Sequence, residues 1–377
     1  MRIAVLGAGM VGRAIAIDLA KDHAVTSFDI SEHSLNILNK KNNAVKTVKA
    51  DLTDFDNYIF LLNDFDIVVT AVPGFMGYQT LEAVIKAKKN VVDISFFPED
   101  ALQLDELAKK NNVTAIVDCG VAPGMSNLIL GYYNAQMNVM SFECMVGGLP
   151  KKRIPPFEYK APFSPVDVIQ EYIRPARLME HGNIVTKPAL SDAAIIDFER
   201  PGPLECFNTD GLRSLLFTMS HIPDMKEQTL RYPGHIDLIK KMIAAGFFDE
   251  QQITINDCSI SPLEFSSALL TKQWKLGETE EEFTLMQVKI TGQKNNKKET
   301  VIYDLFDEYD VATETSSMAR TTGYTCTAAV NLLINKLFTA AGIFPPELIG
   351  SNTACFNFIL NYLAERKVIY RKRVHGS

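Results

Sequence analysis

The chain has 377 residues, 47% of them hydrophobic, with a formal net charge of −7. That length exceeds one ordinary core and predicts two domains, and the acidic balance excludes nucleic acid as a partner. No apolar run approaches bilayer length and Met1 leads straight into the first strand, so a cytoplasmic protein without a membrane partner is expected. The six cysteines are scattered and none of the six histidines pairs with another at ligand spacing, which predicts reduced thiols and no metal site. Two basic stretches, 294–298 and 371–373, read as a hairpin tip and a frayed tail.

The first element is the apolar run Arg2 to Leu6, which enters Gly7-Ala8-Gly9-Met10-Val11-Gly12. A buried strand, a tight glycine turn and a helix over 13–21 form a dinucleotide cradle. Gly9 admits the pyrophosphate, Gly12 lets the helix pack closely, and the helix N-terminus receives the phosphates. A second strand, 24–29, ends on Asp29, a carboxylate that accepts from a ribose 2′-hydroxyl and repels a 2′-phosphate. NAD is therefore expected, and NADP is less favoured. Further strands are predicted over 44–49, 66–72, 90–95 and 113–118, separated by helical stretches such as Gly77 to Lys88 and Glu99 to Lys110. Alternation of this kind predicts an α/β fold, a Rossmann doubly wound parallel sheet. Its ligand crevice lies outside the carboxyl ends of the strands, where Asp51, Leu52, Val72, Pro73, Ser95, Asp118 and Gly120 fall.

After Pro123 the texture changes. A helix is expected to about Met137, then a strand-rich α+β second domain over 125–317, with the helices of 318–377 returning to complete the first domain (1–124). Ser164-Pro165 opens an amphipathic run to Met179, Ser261-Pro262-Leu263-Glu264 is a capping box, and 283–291 with 299–305 forms a hairpin. Helices are predicted over 313–338 and 353–367.

With no metal cluster and no nucleophile elbow, the chemistry is expected to be that of the bound dinucleotide. Two segments concentrate polar side chains. Glu205 to Ser214 reads either as a helix cap or as a polar wall that holds an anionic substrate through Arg213. Thr229 to His235 reads either as a strand end with a capping histidine or as a site in which Arg231 clamps a carboxylate and His235 titrates near neutrality. Met318 to Tyr324 reads as packing between domains.

At these residues the chain resembles the saccharopine dehydrogenase family and, within it, the lysine 6-dehydrogenase branch. The resemblance spans nearly the whole chain. It rests on the glycine loop with Asp29, on Asp118 to Asn127, and on Val146-Gly147-Gly148-Leu149-Pro150 with Pro155-Pro156. Tyr172 with Pro175-Ala176, Gly202-Pro203-Leu204-Glu205, Arg231 to His235 and Met318 to Thr322 add to it. The saccharopine-forming branch places an aspartate where this chain has Ala122, a departure that favours the lysine enzyme. The resemblance implies NAD-dependent oxidative deamination of the ε-amine of L-lysine to 2-aminoadipate 6-semialdehyde and ammonia, in a homodimer whose second domain supplies substrate contacts and the subunit interface. Arg231 or Arg213 would hold the substrate carboxylate, and Asp210 or Glu205 its α-ammonium. Ser95 would line the substrate, and Asp118 or His235 would act as base. The alternatives are a saccharopine-type enzyme acting on a secondary amine and a non-catalytic dinucleotide sensor.

Overall fold

The computed structural model describes residues 1–163 and 165–376, the side chains of Val166 and Ile255 excepted. The first third supplies β1 (Arg2–Leu6), β2 (Ala24–Asp29), β3 (Lys46–Lys49), β4 (Ile67–Thr70), β5 (Asn90–Asp93) and β6 (Thr114–Ile116). The remainder adds β7 (Asn138–Pro150), β8 (Ala176–Glu180), β9 (Asn183–Lys187), β10 (Ala194–Phe198), β11 (Gly202–Asn208) and β12 (Asp224–Arg231). After these come β13 (Ile253–Ile255), β14 (Cys258–Ile260), β15 (Glu282–Lys294), β16 (Lys297–Glu308), β17 (Gly342–Phe344) and β18 (Tyr370–Gly376).

The first sheet runs β17-β6-β5-β4-β1-β2-β3 and is parallel throughout. Its centre is apolar because it is covered on both faces, and Ile3, Ala4, Val5 and Leu6 are fully buried. Strand order reverses beside β1, so a crevice opens at the carboxyl ends of β1 and β4. The Rossmann expectation holds, with one strand more than expected. The three residues of β17 are too few to show a period and lie between the helices predicted over 313–338 and 353–367. The helix Ser317–Ile334 packs on the first helix, Met10–Leu19, where Gly323 leaves room for Ala14 and Ile15. Buried Asp18 accepts from Thr327 Oγ1 at 2.7 Å, Tyr362 OH at 2.9 Å and Arg366 Nε at 2.7 Å, which ties the C-terminal helices to that first helix.

The second sheet runs β10-β11-β12-β7-β15-β16-β18, with β8 pairing both β12 and β9. Among the described residues, β12 and β7 are the one pair that runs in parallel within it. The expected hairpin is β15 and β16, turned by Asn295 and Asn296 with φ of 52° and 59°. The capping box is also as read: Ser261 N donates to Glu264 Oε2 at 2.8 Å and Glu264 N to Ser261 Oγ at 3.1 Å.

Two expectations need correction. The single helix expected over 165–179 stops at Ile173, because Pro175 cannot continue it, and β8 follows. The cap expected at Ser164 lies outside the described residues. The basic tail 371–373 is not frayed: it belongs to β18, and Arg373 Nε donates to Asp304 Oδ2 on β16 at 2.7 Å. No described helix is long and apolar enough to cross a membrane.

Candidate active site

The glycine loop is built as its spacing demands. Gly7 sits at φ +108°, where a Cβ would lie 2.3 Å from Ala71 O, and a Cβ on Gly12 would lie 2.2 Å from Gly7 O. A Cβ on Gly9 would meet nothing within 4 Å. That opening lies at the amino end of the helix Met10–Leu19, where N–H groups without helical partners and the positive dipole end favour a pyrophosphate. Asp29 is oriented from the loop itself: Oδ2 accepts from Ala8 N at 2.6 Å and Oδ1 from Ser31 N at 2.7 Å. The residues present therefore fit a dinucleotide.

A cavity of about 840 Å³ starts at this loop and runs past the ends of the parallel strands to the second sheet. Gly7, Gly9, Met10, Val11, Gly12 and Asp29 line it, as do Asp51, Leu52, Val72, Pro73, Ser95 and Gly120. All the residues expected to hold the dinucleotide thus face one space. At its rim Arg13 donates to both carboxylate oxygens of Glu278, at 2.6 and 2.8 Å, joining the glycine-loop helix to the segment before β15.

The far end is walled by β12. Side chains alternate across a strand, so Glu227, Thr229 and Arg231 share one face, and all three line the cavity. Arg231 Nε donates to Tyr172 OH at 2.8 Å and Nη2 to Glu171 Oε2 at 3.0 Å, with its guanidinium carbon 4.3 Å from the centre of the Tyr159 ring. Asp210 also lines the cavity, gripped from behind by Arg177, whose Nε and Nη2 donate to it at 2.9 and 2.8 Å. Asp118 lines it too, at a strand end, with φ of +51°.

Three expected site residues are placed otherwise. Arg213 does not line the cavity. Its Nε donates to Asp118 Oδ2 at 2.9 Å and its Nη1 to Phe97 O at 2.6 Å, so it straps the two sheets together instead of facing a substrate. His235 is buried behind Tyr172. Its Nδ1 lies 2.9 Å from Phe157 O and its Nε2 3.0 Å from Tyr172 OH. Burial, with the Arg231 charge beside it, pushes its pKa down to about 3, so it stays neutral and is no near-neutral base. Glu205 caps the helix that His235 opens, accepting from Gly234 N at 3.1 Å.

The cavity residues not singled out from the sequence include Tyr159, Glu171, Arg174 and Glu227. Period-two reading of β12 backwards from Arg231 reaches Glu227, whereas nothing local marks the other three. Arg174 forms no ion pair among the described residues. Burial raises the carboxyl pKa of Glu171 and pushes that of Glu227 up to about 8.

The family model described as the saccharopine dehydrogenase C-terminal domain matches residues 120–369, and that described as the saccharopine dehydrogenase NADP binding domain matches residues 3–116. The chain belongs to the saccharopine dehydrogenase family. The yeast Saccharomyces cerevisiae saccharopine dehydrogenase (NADP+, L-glutamate-forming) is 25% identical over 71% of this chain and 62% of its own length. An α-aminoadipic semialdehyde synthase of Arabidopsis thaliana is 26% identical over 55% of this chain and 21% of its own. The matched regions thus span less than two thirds of these relatives. The solved structure of the yeast L-Glu-forming enzyme in its apo form covers 99% of both chains with a TM-score of 0.80 and 20% identity, and shares the fold. The family is one of dinucleotide-dependent oxidoreductases. The matching dinucleotide-domain model and the yeast relative both carry NADP in their names, whereas Asp29 favours NAD.

Proposed function

We propose that this saccharopine dehydrogenase-family member oxidises the primary ε-amine of L-lysine with NAD, releasing ammonia and 2-aminoadipate 6-semialdehyde. The observation that carries this reading is the charge of the cavity wall. Beyond the glycine loop it presents Asp118, Asp167, Glu171, Asp210, Glu227 and Glu278 against Arg174, Arg231 and Lys275. Lysine brings two ammonium groups and one carboxylate, which suits a lining rich in carboxylates. Saccharopine brings three carboxylates, a poorer match to a lining in which carboxylates outnumber cations.

In this reading Arg231 and Arg174 receive the substrate carboxylate, with Tyr159 and Tyr172 fixing the Arg231 plane. Asp210 accepts from the α-ammonium, its orientation held by Arg177. Asp118, held by Arg213, stands with Ser95 and Gly120 at the strand ends. A nicotinamide bound there supplies the hydride acceptor. NAD is preferred because the Asp29 carboxylate repels a 2′-phosphate and the neighbouring Lys49 is already paired with Glu32 at 2.7 Å. The working unit is proposed to be a homodimer formed through the second domain.

A second reading follows the names of the relatives: oxidation of a secondary amine joining lysine to a dicarboxylic acid, with NADP. Absorbance at the NADH band separates the two, using L-lysine, saccharopine, ornithine and a polyamine, each with NAD and with NADP. The expected result is NADH and free ammonia with L-lysine and NAD. Turnover confined to saccharopine would replace the lysine reading, and turnover confined to NADP would overturn the Asp29 argument alone.

A further inference from the structure

We propose that Glu227 is the proton acceptor that frees the ε-amine for oxidation, a role that rests on the amine-oxidising reading above. An ammonium has no lone pair, so one N–H bond must break before the C–N double bond can form. The proton passes to a Glu227 carboxylate oxygen, and the nitrogen lone pair then forms the C=N bond as the C–H electron pair leaves as hydride to the dinucleotide. The enzyme is left with one proton on Glu227, which it returns to water.

Geometry selects this carboxyl over its neighbours. Asp118 is held by Arg213, Asp210 by Arg177 and Glu171 by Arg231, whereas no described residue hydrogen-bonds or ion-pairs with the Glu227 side chain. Its carboxyl lies against Gly211, where a Cβ would approach Glu227 Oε2 to 2.0 Å, so the missing side chain makes the space. Glu227 is 6% exposed and lines the cavity two residues from Thr229 and four from Arg231 on the same strand face. An approaching ammonium would find this carboxyl without an ion-pair partner among the described residues.

The groups facing it explain its proton affinity. Burial acts first, Glu171 from the helix Pro165–Ile173 and Asp210 from the loop after β11 add to it, Arg213 opposes, and Asp118 adds a little. Cys144 faces it from β7 and stays a neutral thiol, its own pKa raised by burial and by Glu227. Together they push the carboxyl to about 8. The group that accepts the proton is the carboxylate, so activity should rise with pH through that value.

The test is the pH profile of kcat/KM for L-lysine with NAD, for the wild-type chain and for Glu227→Gln and Glu227→Asp. We expect a wild-type rise with a break near 8, absent in Glu227→Gln, whose activity tracks only the substrate amine and whose kcat falls roughly 10²–10⁴-fold with unchanged NAD affinity. Glu227→Asp should restore part of the rate and the break. A wild-type profile without that break, or a Glu227→Gln enzyme within threefold of wild type, overturns the role while the lysine reading stands. A wild-type enzyme that makes no NADH from lysine removes the lysine reading and this role with it.

Discussion

At the scale of single residues, the same side-chain type takes opposite roles according to what encloses it. Arg231 and Arg213 are the two alternatives that the sequence offers for a substrate carboxylate. Arg231 does face the cavity, stacked on Tyr159 and held by Tyr172, whereas Arg213 is spent on Asp118 and Phe97 O. Arg231→Ala should therefore raise KM for lysine, by about 10- to 100-fold for a lost charge-assisted contact, while NAD affinity measured by fluorescence titration stays the same. An unchanged KM would remove Arg231 from the substrate contacts. His235 shows the same rule for a base: its ordinary pKa lies near neutrality, but a dry setting beside a guanidinium keeps the ring neutral.

At the scale of elements, the loop after β6 and the turn after β11 meet through one ion pair. Arg213 and Asp118 are 8% and 5% exposed at their side chains and lie 2.9 Å apart, each in a left-handed backbone conformation with φ of +47° and +51°. Such a pair is weak evidence for net stability, but removing one partner strands a buried charge. Arg213→Ala should cost about 3–5 kcal/mol in chemical denaturation. The double variant with Asp118→Asn should be less destabilised than the sum of the two single changes. Additive losses would show that the two elements are held by packing alone.

At the scale of the whole molecule, the cavity exists only because the second sheet faces the carboxyl ends of the first. The Arg13–Glu278 contact crosses its rim, with Arg13 buried and Glu278 46% exposed at the side chain. A pair with one exposed partner contributes little to stability. Glu278→Ala should leave the Tm nearly unchanged yet speed dinucleotide dissociation in stopped-flow displacement, because the rim no longer closes over the glycine loop. A slower or equal off-rate would show that the contact has no gating role.

The sequence alone determined the dinucleotide loop, because the cues there are local: a buried strand, three glycines at set spacing, a helix and a carboxylate at the next strand end. It also determined the alternation behind the parallel sheet and both reciprocal cap and hairpin signals. Each of these depends on neighbours within a few residues of one another. The tertiary structure decided what long-range pairing decides. A three-residue strand, β17, was invisible without its partner β6, and a basic tail became β18 only against Asp304. The far wall of the cavity brings Tyr159, Glu171 with Arg174, Asp210 and Glu227 together from separate segments. Whether each of their charges faces the cavity or a neighbouring ion is set by burial and by partners far away in the chain, which no local pattern encodes.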